Sequence, residues 1–558
     1  SIIATANGCS RAAETFTITV NPSPVVSFSP AIQNICSGDT SALVTLSSTT
    51  SGATFSWTAT QPAGITGVTT SGTNTIPVQT LLNSTNAPIT ITYAAVAATN
   101  DASACAGSTF NYSIIVNPRP SITESFANAI CSGGAFSIIP TSSTLNNIPS
   151  GTTYSWSAPV VTNGLSGGAS GTNQTTIGGT LINPTNTVQT ATYTVTPTSG
   201  ATGTCAGATF TVVVTLNPKP VIPNQTATIC SGLAFTTTPV NASPTTATIV
   251  PSGTTYTWTV ASPTGITGAT DQASAQTSIS QTLTNTTEGE LDVVYTVTAT
   301  AGIAPNSCTD IFTITVTVNP LPIINDRVVA ICSQDTFTLT PTTASPEIVP
   351  TGTTYTWTVV APVGITGSSD EATAQTNISQ TLTNTTNAPI DVVYTVTASV
   401  GTAPNVCTDT FTITVTVNPK PAIANQAVAI CSQDTFTVTP TNALPDVVPT
   451  GTTYTWTVVA PSGITGASNQ TIPQTTISQT LNNTTDANID VVYTVEASAG
   501  TAPNVCISTF EITVSVSPRP NIADVTDSIC SAQSFTVTPT TNATDIVPTG
   551  TTYTWSVA

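Results

Sequence analysis

Phe337-Thr338-Leu339-Thr340, Tyr355-Thr356-Trp357-Thr358-Val359, Ile378-Ser379-Gln380-Thr381-Leu382, Val392-Val393-Tyr394-Thr395-Val396 and Phe411-Thr412-Ile413-Thr414-Val415-Thr416-Val417 follow one another between Pro322 and Pro419. In each, apolar and polar residues alternate with a period of two. On an extended strand this puts one apolar face inward and one Thr-rich face outward. β-Branched Thr keeps strand propensity on the wet face without adding charge. The segments read as strands B, C, E, F and G of a sandwich, with strand A between Pro322 and Cys332. No segment shows helical periodicity, so the class is all-β.

Working outward, the same pattern recurs between copies of a Pro-rich tetrapeptide: Asn21-Pro-Ser-Pro24, Asn117-Pro-Arg-Pro120, Asn217-Pro-Lys-Pro220, Asn319-Pro-Leu-Pro322, Asn418-Pro-Lys-Pro421 and Ser517-Pro-Arg-Pro520. The spacings are 96, 100, 102, 99 and 99 residues, too long for a solenoid unit and right for one sandwich domain. Two prolines remove backbone donors and fix φ, so strand pairing stops there and the connection is extended and stiff. The boundaries follow: a partial repeat at 1–22 (the end of a strand G), complete repeats at 23–118, 119–218, 219–320, 321–419 and 420–518, and a partial repeat at 519–558 (strands A to C). With so little slack in each linker, an extended rod without a shared core is expected.

Composition narrows the function. Of 558 residues only 6% are charged, against about 25% in ordinary soluble domains, so Thr, Ser, Asn and Gln must meet the water. Six basic against 25 acidic residues give a net charge of −19, with no basic stripe for phosphates; nucleic acid is not an expected partner. No apolar run is long enough for a membrane helix, and no export signal opens the chain. Met is absent, the first residue is Ser1, and the chain starts and stops partway through a repeat; it reads as a stretch of something longer.

Each repeat has one strand-C tryptophan: Trp57, Trp156, Trp258, Trp357, Trp456 and Trp555. A sugar-stacking platform is one reading; alternation with Tyr355 and Val359 favours the buried strand-C Trp of immunoglobulin-like sandwiches. Tyr93, Tyr193, Tyr295, Tyr394 and Tyr493 on strand F are likewise expected in the core. Outside the strands, only Phe28 and Phe126 stand as aromatics, in strand-A positions that do not recur.

Catalytic chemistry is hard to find. There is no His, which removes Ser-His-Asp and Cys-His catalysis and the commonest transition-metal ligand. Asp370-Glu371 is expected in a loop, and its counterparts Asp271-Gln272 and Asn469-Gln470 do not preserve a carboxylate pair, which argues against general acid–base work. No enzyme and no cofactor is expected. Calcium is the best-motivated ion, through Asp326 and Asp335 near one junction, but no calcium-loop spacing appears. Lys occurs only as Lys219 and Lys420, both in linkers, so Lys–Asn isopeptide bonds cannot stabilise each domain.

The motifs Ile35-Cys-Ser-Gly38 and Ile229-Cys-Ser-Gly232, Gly253-Thr-Thr-Tyr-Thr-Trp-Thr-Val260, Gln281-Thr-Leu-Thr-Asn-Thr-Thr287 and Thr-Val-Asn-Pro-x-Pro resemble the PKD-like repeats of Bacteroidetes surface proteins, across the whole chain. The Trp-Asp-Phe-Gly-Asp-Gly hallmark of the original PKD domain is absent, since Thr-Val-Val follows Trp357. Among such proteins the very large gliding-motility adhesins of flavobacteria are the most similar. The resemblance implies a cell-surface stalk exported by the type IX secretion system, held at the outer membrane, moved by the gliding machinery, and gripping an external surface or polysaccharide through other regions. A carbohydrate-binding repeat array and accessory repeats of a secreted hydrolase are the alternatives.

Twelve cysteines fall into two classes. Cys36, Cys131, Cys230, Cys332, Cys431 and Cys530 precede strand B; Cys9, Cys105, Cys205, Cys308, Cys407 and Cys506 open strand G. They lie at least 24 residues apart, which gives a compact zinc site little support, and an exported chain should oxidise them. Within one sandwich the two classes sit at opposite poles, roughly 25–30 Å apart, whereas a disulfide needs Cα atoms within about 7 Å. In a head-to-tail rod, the A-to-B turn of one domain faces the F-to-G hairpin of the next. The expected bonds are therefore interdomain: Cys36–Cys205, Cys131–Cys308, Cys230–Cys407 and Cys332–Cys506. Cys9, Cys105, Cys431 and Cys530 would need partners in further repeats. If strand A is displaced so that Cys332 reaches the start of strand G, the within-domain bond Cys332–Cys407 forms instead.

Overall fold

The computed structural model describes residues 1–102, 104–200 and 203–557. Its described residues are all strand, turn and loop, arranged as tandem β-sandwich repeats in an extended array. The repeat at 321–419 shows the plan. Its strands are β1 (Arg327–Cys332), β2 (Thr336–Leu339), β3 (Thr354–Val359), β4 (Ile365–Thr366), β5 (Glu371–Gln375), β6 (Ile378–Thr381), β7 (Thr383–Asn384), β8 (Ile390–Val400) and β9 (Cys407–Asn418).

One sheet has the order β1-β9-β8-β3-β5, and the opposing layer is made of the pairs β2–β6 and β4–β7. β8 and β9 pair antiparallel along their whole length, from Ile390↔Val417 to Val400↔Cys407. β1 lies parallel to β9, with Cys332 opposite Asn418. Because β1 and β9 run the same way, Cys332 at the end of β1 and Cys407 at the start of β9 stand at opposite poles of one repeat. The repeats at 219–320 and 420–518 keep this sheet order strand for strand; the repeat at 119–218 adds Val160–Val161 to its larger sheet.

The inward faces are those the alternation marks. Tyr394, Val396, Ile413, Val415 and Val417 are fully buried, and Trp357 is 5% exposed. Phe337 stacks tilted on Tyr394 at 5.3 Å, and Tyr355 meets Phe411 edge-on at 6.4 Å. Among the described residues five hydrophobic clusters result, each confined to one complete repeat, so adjoining domains share no core there.

Three expectations need correction. Glu371–Gln375 is not a loop but β5, the edge strand beside β3, with a bulge between Tyr355 and Trp357. Phe28 and Phe126 lie in strands and pack, Phe28 on Tyr112 at 5.1 Å and Phe126 on Phe210 at 5.7 Å. The partial repeats do not form their expected strands. Within 1–22 only the short pair Thr5–Ala6 with Cys9–Ser10 and the single bridge Ile2↔Glu14 form, leaving Phe16, Ile18 and Val20 exposed. Within the described residues of 519–558 a single bridge, Asn521↔Ile546, replaces strands A to C, and Trp555 is 85% exposed, not core. In complete repeats β9 is held between β1 and β8, β1 rests on β9, and β3 on β8. Among the described residues, 1–22 and 519–557 pair with no such neighbours.

Candidate functional site

The features repeated most regularly lie at the junctions between domains. At the end of β1, the chain turns through Cys332-Ser333-Gln334-Asp335 into β2. Ser333 is buried, and its hydroxyl donates to the Asn384 carbonyl (3.1 Å) while accepting from the Asn384 N–H (2.9 Å). The Asn384 amide donates to Ala388 O (2.7 Å) and to Val417 O on β9 (2.8 Å), and its Oδ1 accepts from the Thr386 N–H and hydroxyl. Every arm of a buried Asn is thereby satisfied, as burial demands. The knot recurs at Ser37/Asn83, Ser132/Asn183, Ser231/Asn285 and Ser432/Asn483. It fixes the turn that carries the cysteine. The sequence offers its signal as the recurring Cys-Ser and Asn-x-Thr, which hydrophobic periodicity cannot pick out.

From that fixed turn, disulfides cross to the next repeat. Cys36 joins Cys205, Cys131 joins Cys308, Cys230 joins Cys407 and Cys332 joins Cys506, with Cα–Cα distances of 5.5 Å for the first and 5.6 Å for the others. These are the four pairs that the opposite-poles argument names. Cys9, Cys105, Cys431 and Cys530 are free thiols. Polar contacts add to some junctions: Asn147 Nδ2 donates to Thr85 O at 3.2 Å and Asn217 Nδ2 to Asn306 O at 3.5 Å. Arg119 pairs with Asp39 at 2.9 Å and Arg519 with Asp434 at 3.0 Å, tying each Pro-Arg-Pro linker to the turn after the cysteine.

Most of the other candidate groups have structural partners, while the Trp456 indole N–H and the Tyr193 hydroxyl are buried without one. Trp57, Trp156, Trp258, Trp357 and Trp456 are buried, and Trp57, Trp156, Trp258 and Trp357 donate their indole N–H to a backbone carbonyl, Trp357 to Ser369 O at 3.2 Å. Among the described residues of the five complete repeats no aromatic side chain is exposed. Tyr394 donates its hydroxyl to Gln380 Oε1 (2.8 Å), whose amide donates in turn to Ser369 O (2.7 Å). Burial raises the phenol pKa of the strand-F tyrosines, that of Tyr493 to about 12; Tyr256 on the strand-C face is also raised to about 12.

Asp370 accepts the Val359 N–H at 2.8 Å, Asp271 the Val260 N–H at 2.7 Å, and Asn469 the Val458 N–H at 2.8 Å. The position needs an acceptor oxygen, not a charge, which is why Asn serves in one repeat. Asp326 accepts the Thr412 N–H on β9 at 2.7 Å, and this bond holds its carboxyl below the usual range. Glu347 is likewise lowered, first by the Arg327 guanidinium at 2.6 Å. Among the described residues no three Asp, Glu or Cys side chains gather as a metal-holding group, and Asp326 and Asp335 do not converge on one.

The sequence profile described as "PKD-like domain" matches residues 33–120, 128–220, 227–322, 329–421 and 428–520. No curated protein matches the chain. Similar solved structures include the I-band fragment of titin (12% identity, TM-score 0.23, covering 54% of this chain and 96% of that one) and Drosophila N-cadherin EC1-4 (10%, 0.18, 70% and 99%). A third is a SusE-like surface located polysaccharide binding protein from the Bacteroides thetaiotaomicron heparin utilisation locus (12%, 0.20, 88% and 72%).

Proposed function

The chain belongs to the PKD-like domain family, five copies in tandem, and from that premise we propose that it is a structural stalk: a stiff segment that sets length and bears load in a large cell-surface adhesin. The observation that carries this reading is the disulfide across each of four successive junctions. A hinged string of domains needs no such bond, and a binding module gains nothing from it, whereas a rod that must not bend at its linkers does. Disulfides also fit an oxidising, extracellular setting. The finer assignment rests on the sequence resemblance: a gliding-motility adhesin of the SprB kind, exported by the type IX system, held at the outer membrane and gripping a surface or polysaccharide through other regions.

The carbohydrate-array alternative requires open ring faces, and the buried tryptophans of the complete repeats do not supply them. The test is direct binding of the isolated chain to a panel of polysaccharides, alongside assays for glycan hydrolysis. The stalk reading expects neither retention nor turnover. Micromolar binding to one glycan, lost on Trp357→Ala in an otherwise folded chain, would overturn it.

A further inference from the structure

The four disulfides do more than clamp neighbours, because of where they enter the chain. Each connects the end of the strand that lies parallel to its repeat's last strand to the start of the following repeat's last strand or, for Cys205, to the segment just ahead of it. Between two bonds the chain consists mainly of a last strand, a Pro-rich linker and the strand that lies parallel to a last strand. Followed through the sulfurs, one covalent track runs 9–36, Cys36–Cys205, 205–230, Cys230–Cys407, 407–431. A second runs 105–131, Cys131–Cys308, 308–332, Cys332–Cys506, 506–530. The rest of each sandwich, such as 230–308 or 332–407, spans from one track to the other like a rung between rails.

We propose that these interleaved disulfides route tensile load along two covalent tracks that bypass the bodies of the sandwiches, so that the oxidised rod cannot be lengthened by unfolding its repeats one after another. The slack in a track supports this. Strand and Pro-rich linker are already close to the chain's full reach of about 3.3–3.6 Å per residue. From Lys219 to Lys420 the track holds about 26 residues and reaches at most roughly 90 Å. Two folded repeats of about 40 Å each already span most of that. Along the backbone the same two lysines are separated by about 200 residues, or roughly 700 Å when unravelled. Cleaving Cys230–Cys407, which takes two electrons and two protons from a dithiol and leaves two thiols, opens that length.

The inference deepens the stalk reading, but its test is independent of what the stalk carries: a glycan-binding result leaves it untouched, and its failure leaves the stalk assignment standing. Lys219 and Lys420 are the chain's only lysines and lie on the same track, so amine-coupled handles identified at these two positions can pull it in a single-molecule stretching experiment. The oxidised chain should stretch to about 90 Å and show no unfolding step before a covalent bond or a handle fails. After dithiol reduction the same molecules should release contour in steps toward about 700 Å. The variant Cys230→Ser should show unfolding steps without reductant, and since its repeats unfold under load only if folded beforehand, the steps themselves report that it folds. Stepwise release in the oxidised wild-type chain, or oxidised and reduced chains that extend alike, would overturn the proposal.

Discussion

Ser333 is a small residue with a large share in the junction, because its hydroxyl both gives and takes a hydrogen bond with the Asn384 backbone beneath the Cys332 turn. Ser333→Ala leaves a buried N–H and carbonyl short of a partner and should cost about 1–3 kcal/mol in denaturant unfolding of the repeat. Asp370→Asn should be neutral within about 0.5 kcal/mol, since Asn469 fills the same role, whereas Asp370→Ala should destabilise by exposing the Val359 N–H to an empty position. Trp357→Ala removes a core anchor and should cost about 3–5 kcal/mol. The buried tyrosines set an alkaline limit. A phenol whose pKa is raised in the fold stays protonated to higher pH there than in the unfolded chain, so its contribution is full below about pH 10. It is lost as pH rises toward the folded value, about 12 for Tyr256 and Tyr493. Circular dichroism followed through an alkaline titration should show the sheets melting in that window and unaffected at neutral pH; sheets intact above pH 12 would contradict it.

At the scale of the strand, what could be read from the sequence was what periodicity encodes. The buried faces of β3, β8 and β9 alternate strictly, and Trp357, Tyr394 and Phe411 lie where that alternation puts them. β5 was illegible because Glu371-Ala-Thr-Ala-Gln375 is an edge strand with no apolar face to bury, so pairing with β3 rather than burial holds it. The Ser–Asn knot escapes hydrophobic periodicity for the opposite reason: it is buried but polar, and its one signal is the recurring Cys-Ser and Asn-x-Thr. Trp555, 85% exposed, meets no counterpart of β8 among the described residues, whereas in the complete repeats the strand-C Trp lies beside that strand. The cysteine pairing was accessible because the poles of a sandwich decide which turns meet, and the alternative of a displaced strand A fails because β1 runs parallel to β9 and ends beside Asn418, away from Cys407. On a chain-entropy account, a bond closing 177 residues stabilises by about 5 kcal/mol, less where neighbouring bonds interleave. Replacing Cys332 and Cys506 by Ser should leave both sandwiches folded by circular dichroism while the hinge between them loosens, seen as a broader distribution of interdomain distances between probes on either side.

At the scale of the molecule, five cores that share nothing are joined by stiff linkers and cross-strapped by sulfur. Five repeats of about 40 Å should give a rod on the order of 200 Å, which small-angle scattering would register as an elongated particle, a compact globule being the contrary result. Reduction should make that rod flexible before its domains unfold. All of this depends on which cysteines are bonded. Proteolytic peptide mapping of the oxidised chain under non-reducing conditions therefore tests the account most directly: it should recover Cys332 linked to Cys506 and Cys230 linked to Cys407, whereas a peptide linking Cys332 to Cys407 within one repeat would contradict it.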